Sequence, residues 1–218
     1  MVFKSIGFRV NLSIFPNAWL LVLNDISLIA MLTVMKRIFS ESTTGFLVSI
    51  FSYSALFYLN DWLTSHLAYG LGVNWIYLPA GLRLFLTLIF GLPGAIGIAL
   101  ASFMICYFGQ FPPELITCIG IGLISGFAPY LARVFVLRNI NILPDLSNLT
   151  LQNLVVCVLI FAALSAGLHQ WWFALRGLDE AGSFNHFLVM MIGDVLGTVL
   201  LIGLIKYGLD LLKGFRPA

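Results

Sequence analysis

What limits this chain first is a succession of apolar runs between Gly45 and Leu212, broken only by short turns bearing glycine, proline or asparagine. A hydrocarbon core about 30 Å thick takes about 20 helical residues to cross. Inside it, every backbone N–H and C=O must be satisfied by the protein itself, which a single apolar run achieves as an α-helix. Runs of this length therefore predict an all-α fold, a polytopic membrane bundle. With 61% of residues hydrophobic and 9% charged, nothing remains that would fold as a separate soluble domain. The net charge of +2 is small, and its basic residues are spread over helix ends instead of forming a stripe, which excludes a nucleic-acid partner.

The spacing predicts six transmembrane helices: Gly45 to Leu67, Ile76 to Phe90, Ala95 to Phe108, Glu114 to Leu137, Thr150 to Leu175 and Phe184 to Leu212. Ser40 to Thr44 supply cap-type residues ahead of the first, Gly70 and Gly72 break the chain before the second, and Pro112 and Pro113 open the fourth. The turn Gly91-Leu92-Pro93-Gly94 is tight enough to make helices 2 and 3 an antiparallel hairpin. Residues 1–44 read as an N-terminal cytoplasmic or interfacial segment, and 45–218 as the six-helix transmembrane domain. Within the first part, Ala18 to Val34 is apolar but interrupted by Asn24 and Asp25. That pattern suits a peripheral helix lying at the interface, its apolar face on the bilayer. Pairs of small residues four apart, Gly97 with Ala101, Gly122 with Gly126, Ala163 with Gly167 and Gly193 with Gly197, predict seams of close helix packing.

Orientation follows from Lys and Arg at alternate ends. One side carries Lys36, Arg37, Arg133, Arg138, Lys206, Lys213 and Arg216, the other only Arg176. The positive-inside rule then puts both termini in the cytoplasm of a cell bounded by a plasma (inner) membrane. Trp62, Trp75, Tyr77, Trp171 and Trp172 fall at the opposite, outer ends as an aromatic belt. Cys106, Cys118 and Cys157 lie inside apolar runs without metal or redox spacing, and read as small buried hydrophobes in preference to a disulfide or metal ligands.

Side chains that lipid does not tolerate gather in the outer half. Asp61 lies about one and a half turns below the outer end of helix 1, Arg83 about two turns into helix 2, and Asp194 about two and a half turns beyond His186 in helix 6. His169 and Gln170 close helix 5, and Asn74, Trp75 and Tyr77 lead into helix 2. Arg83 needs an anion, and Asp194 and Asp61 are the acidic side chains at its depth. The pair is then either a buried salt bridge that fixes two helices together, or a partly neutralised cation that holds an anionic ligand in an outward-facing cavity. Candidate ligand-binding residues are Asp61, Asn74, Trp75, Tyr77, Arg83, His169, Gln170, His186 and Asp194. The histidines have no shared-face spacing, so no metal and no other cofactor is expected. His169-Gln170-Trp171-Trp172 reads either as belt residues or as an aromatic wall beside the opening. No nucleophile elbow, phosphate loop or HExxH is present, so the expectation is a protein without catalysis.

Two segments carry a resemblance. Trp75-Ile76-Tyr77-Leu78-Pro79-Ala80-Gly81-Leu82, with Phe90-Gly91 closing the same helix, and Gly193-Asp194-Val195-Leu196-Gly197 in the last helix are similar to elements of the MASE1 group of bacterial membrane sensor domains. Arg83 stands where that group mostly has apolar or small residues. The resemblance implies a sensory bundle over about Gly45 to Leu212. With no output module after helix 6, its signal would pass to a separate partner through helix 6 and the Lys206 to Arg216 end. In overall design, and in GLRLFLTLIFGLPGAIGIALASF, the chain is also similar to substrate-binding subunits of energy-coupling-factor transporters, which implies small-solute transport instead. A structural or assembly role is the third class.

Overall fold

The computed structural model describes the backbone of residues 18–110, 114–140, 143, 146–178 and 183–214, and within these the side chains from residue 39 onward except 110, 209, 213 and 214. Six α-helices make up nearly all of it: α1 Ala18–Thr64, α2 Leu78–Phe90, α3 Leu92–Ile105, α4 Leu115–Asn139, α5 Leu151–Leu175 and α6 Phe184–Gly214. The chain divides into two compact units, Met1–Glu41 and Ser42–Ala218. Helices α2 to α6 and the part of α1 from Ser42 onward belong to the second. The side chains of the expected interfacial segment, Asn24 and Asp25 among them, lie outside the described residues, as do Pro112 and Pro113.

Three expectations about elements need correction. The peripheral helix and helix 1 are not separated: α1 is continuous from Ala18, and Ser40 to Thr44 lie within it instead of capping a new start. Serine and threonine are only mildly unfavourable inside a helix, and no proline interrupts this stretch. The break at Gly70 and Gly72 is a small antiparallel hairpin, β1 Ala68–Gly70 and β2 Val73–Asn74, so the fold is not purely helical. Strands of three and two residues are too short to print an alternating pattern. Finally, α2 is 13 residues long, about 20 Å at about 1.5 Å per residue, which falls short of a bilayer core. Among the described residues, five helices are long and apolar enough to cross a membrane, and α2 is a shorter apolar one.

The short helix is central. Eight of its thirteen residues are buried, on more than one face. Ala80, Leu84 and Leu88 join Ala132, Val136, Val158 and Phe161 of α4 and α5. Leu86 joins Tyr53, Phe57, Ile98 and Ala101 of α1 and α3. Sheathed in this way, α2 need not reach either interface itself. Its ends are held by neighbours: the Leu78 N–H donates to Asn60 Oδ1 of α1 at 2.9 Å, and Arg133 Nε of α4 donates to the Leu88 carbonyl at 3.3 Å. Gly91, with φ 62°, then turns the chain directly into α3.

Glycines set how closely the helices meet. A Cβ on Gly122 or Gly126 of α4 would collide with the Ala99 or Ala95 carbonyl of α3, and one on Gly193 or Gly197 of α6 with the Asn74 or Tyr77 carbonyl. The small-residue seams around these glycines are therefore contacts of backbone against backbone. The polar side chains Ser49, Asn60, Arg83, Thr87, Ser125, Ser165, His169, Asp194 and Thr198 are inside, while Phe51, Ile96, Leu123, Leu159, Val199 and Leu204 face outward. A water-soluble domain shows the opposite distribution. Together with the five long apolar helices it makes this a membrane protein.

Candidate functional site

Between α1 and α2 the chain runs through the hairpin and then extended through Asn74 to Tyr77, along the first half of α6. Gly193 and Gly197 lie about 13 Å and about 20 Å along α6 from Phe184, so this non-helical backbone is carried down beside α6 within its span. Such backbone persists at membrane depth only where protein satisfies it. Here Trp75 N–H donates to the Leu67 carbonyl at 3.1 Å, and Tyr77 N–H to the Gly193 carbonyl at 3.2 Å. This close approach brings Arg83, one and a half turns into α2, level with Asp194.

Arg83 and Asp194 are both almost wholly buried, and Arg83 Nη2 stands 3.4 Å from Asp194 Oδ1. The same nitrogen is 3.4 Å from Ser165 Oγ of α5, and the guanidinium carbon lies 5.3 Å from the Tyr77 ring centroid and 5.6 Å from that of Phe161. Aromatic faces supply part of the negative potential a buried cation needs. The neutralisation is nevertheless incomplete in geometry. The pair meets through one nitrogen and one oxygen, and Arg83 Nε and Asp194 Oδ2 have no hydrogen-bond partner among the described residues.

A small chamber of about 40 Å³ opens beside Arg83. Tyr53, Tyr77, Ser102, Ser125 and His169 line it, and Gly72, at the tip of the β-hairpin, reaches it too. Tyr53 Oη lies 3.2 Å from Tyr77 Oη and 3.3 Å from Ser102 Oγ. His169 Nδ1–H donates to the Ser165 carbonyl at 2.8 Å, leaving Nε2 toward Ser125 Oγ at 3.3 Å. All six helices contribute to the wall. A larger groove of about 390 Å³ on the far side of α2 is lined by Leu84, Phe85, Leu88, Ile202 and Ile205, with Lys206 and Asp210 at one end. It offers apolar surface but no comparable set of hydrogen-bonding groups.

Of the residues singled out from sequence, Tyr77, Arg83 and His169 line this chamber and Asp194 stands behind it. Asn74 sits in the extended lead-in, and its carbonyl packs on Gly193. Gln170 is buried, with Nε2 3.7 Å from Met190 Sδ. His186 is engaged elsewhere. Its Nδ1 lies 2.6 Å from Ser183 Oγ and its ring 5.0 Å from Tyr69, so it secures the hairpin on α6. Trp75 is half exposed, edge-on to Tyr69. Asp61 is exposed and does not reach Arg83. On α1 the buried face is set by Tyr53, Phe57 and Asn60, and the next residue points about 100° away from it. Tyr53, Ser102, Ser125 and Ser165 were not anticipated. Hydroxyls at these positions are a weak signal, because serine is common at helix contacts in membranes.

The cysteines are also corrected in part. Cys106 and Cys118 form a disulfide, with Cα atoms 5.4 Å apart, between the end of α3 and the first turn of α4. A five-residue π-helical turn, Cys106–Gln110, continues α3 toward α4. Cys157 is a buried small residue among Ala132 and Val136, as expected. Next to the disulfide, Arg176 pairs with Glu114 and donates to Thr117 Oγ1 at 2.9 Å. Among the described residues, no three His, Cys, Asp or Glu side chains gather where they would hold a metal ion. Comparison of the chain with family models, curated proteins and solved structures finds no match. The sensor-like reading therefore stands on two segments alone, Trp75 to Leu82 and Gly193 to Gly197.

Proposed function

We propose that this is a multi-pass protein of a bacterial inner membrane, with both termini cytoplasmic, that binds a small anionic ligand in the chamber beside Arg83 and passes the change to a separate partner protein, without catalysis. The observation that carries this reading is the incomplete pairing of Arg83 and Asp194 next to a polar cavity. A bridge with a purely architectural role would be expected to satisfy both groups. Asp194 sits on α6, whose other end carries Lys206, so a ligand that alters the pair acts directly on the helix leading to the cytoplasmic side. The orientation is supported by the Lys and Arg count and by the disulfide. Cys106 and Cys118 fall at the end assigned to the oxidising periplasm, where such bonds persist. A reporter fused at Ala218 that is active only in the periplasm would overturn the topology.

A second reading, the substrate-binding subunit of a small-solute transporter, draws support from the extended lead-in to a short helix beside α6, a device common around transporter sites. Affinity capture of the full chain from native membranes separates the two. A signalling enzyme such as a kinase is expected for sensing, ATPase subunits for transport. Recovery of the chain alone would favour the assembly role.

A further inference from the structure

We propose that the species the chamber takes is a small monovalent anion, and that it enters together with one proton that goes to Asp194. This deepens the ligand-binding reading and rests on it. Size sets the first limit. A single water needs about 10–15 Å³ of such room, so a chamber of about 40 Å³ holds two or three waters or one ion of a few atoms, and drug-sized ligands, which occupy about 300 Å³ or more, are excluded. Chemistry sets the second. The lining offers the Arg83 guanidinium, the hydroxyls of Tyr53, Tyr77, Ser102 and Ser125 and the imidazole of His169, with no carboxylate among the described residues. Most of these are hydrogen-bond donors around a cation, with Nε–H of Arg83 left without a partner among the described residues.

Charge balance sets the third limit. Arg83 and Asp194 already sum to zero, so an added anion would leave one uncompensated negative charge in a dry bundle, which is strongly unfavourable. Protonation of Asp194 removes it. Asp194 Oδ2 has no partner among the described residues and accepts the proton without displacing a hydrogen bond. Arg83, no longer held by a carboxylate, then faces the anion. The titratable or charged groups around the pair are Tyr77 leading into α2, Tyr53 of α1 and His169 of α5. His169 is the competing proton acceptor through Nε2, which faces Ser125 Oγ while Nδ1–H donates to the Ser165 carbonyl, and pH dependence retained in Asp194→Asn would assign the proton to it.

Calorimetric titration of the purified full chain with sodium chloride and sodium formate from pH 5 to 8, in buffers of different ionisation enthalpy, tests this. The expected result is affinity that rises about tenfold per unit fall in pH, with one proton taken up per anion. Asp194→Asn, which mimics the protonated carboxyl, should bind with no pH dependence. Benzoate, which exceeds the chamber, should not bind. If chloride or formate binds at constant affinity with no proton uptake, or if the pH dependence survives in Asp194→Asn, the proton coupling through Asp194 is wrong and the ligand site stands. If only benzoate or another larger anion binds, the size class is wrong and the ligand site again stands. If neither the anions nor the neutral formamide bind at any pH, both readings fall.

Discussion

Removing either charge of a buried pair strands the other, and that asymmetry gives the first prediction. Arg83→Ala or Asp194→Ala should each cost about 3–5 kcal/mol, seen as a lower denaturant midpoint in detergent. Replacing both together, Arg83→Met with Asp194→Leu, should recover most of that loss. A double variant as unstable as the singles would show that Ser165, Tyr77 and Phe161 hold Arg83 without help from Asp194. Asp61→Asn should shift stability by less than about 0.5 kcal/mol, as for any exposed side chain without a buried partner, and leave ligand binding unchanged. The need of Arg83 for an anion was legible in the sequence, since no arginine sits in an apolar run uncompensated. Which aspartate answers it was not. The choice depends on the rotational setting of α1, fixed by where Tyr53 and Phe57 find their cores.

At the level of elements, the seam between α6 and the extended lead-in is the contact that aligns the site. Gly197→Leu should drive α6 away from the Tyr77 carbonyl, lowering both the melting temperature and any anion affinity. Gly203→Ala, on the same helix with open space around it, should leave anion affinity unchanged and should not lower the melting temperature. Thermal unfolding of the two variants side by side makes the comparison. Most helix limits were readable within a few residues, because Gly91, Thr150 and the apolar runs mark them directly. The length of α2 was not: Ile76 and Tyr77 are apolar enough to extend a helix, and only the hydrogen bonds of Tyr77 to Gly193 and Leu78 to Asn60 fix where it starts. The hairpin was invisible for a similar reason, since its pairing is decided by docking on α6.

For the whole molecule, the disulfide ties α3 to α4 where Trp172, Thr117 and Arg176 also meet. In protein denatured with a thiol-reactive maleimide present, one cysteine, Cys157, should be modified before reduction and three after it. Modification of all three without reduction would remove the disulfide and the support it lends to the orientation. Replacing Cys106 and Cys118 by serine should lower stability by about 2–4 kcal/mol, a loss spread over the α3 and α4 hairpin and readable as a shifted denaturant midpoint.

The pairing of Arg83 with Asp194 spans 111 residues of sequence, and this bears on how the protein is made. At a synthesis rate of about 5–20 residues per second, the arginine leaves the ribosome about 6–22 s before its counter-ion. A helix of 13 residues that carries a lone cation is a poor candidate for insertion by itself. We therefore expect assembly to be constrained from the far end of the chain: a nascent chain cut before α6 should leave Arg83 without its counter-ion and exposed to quality-control proteases.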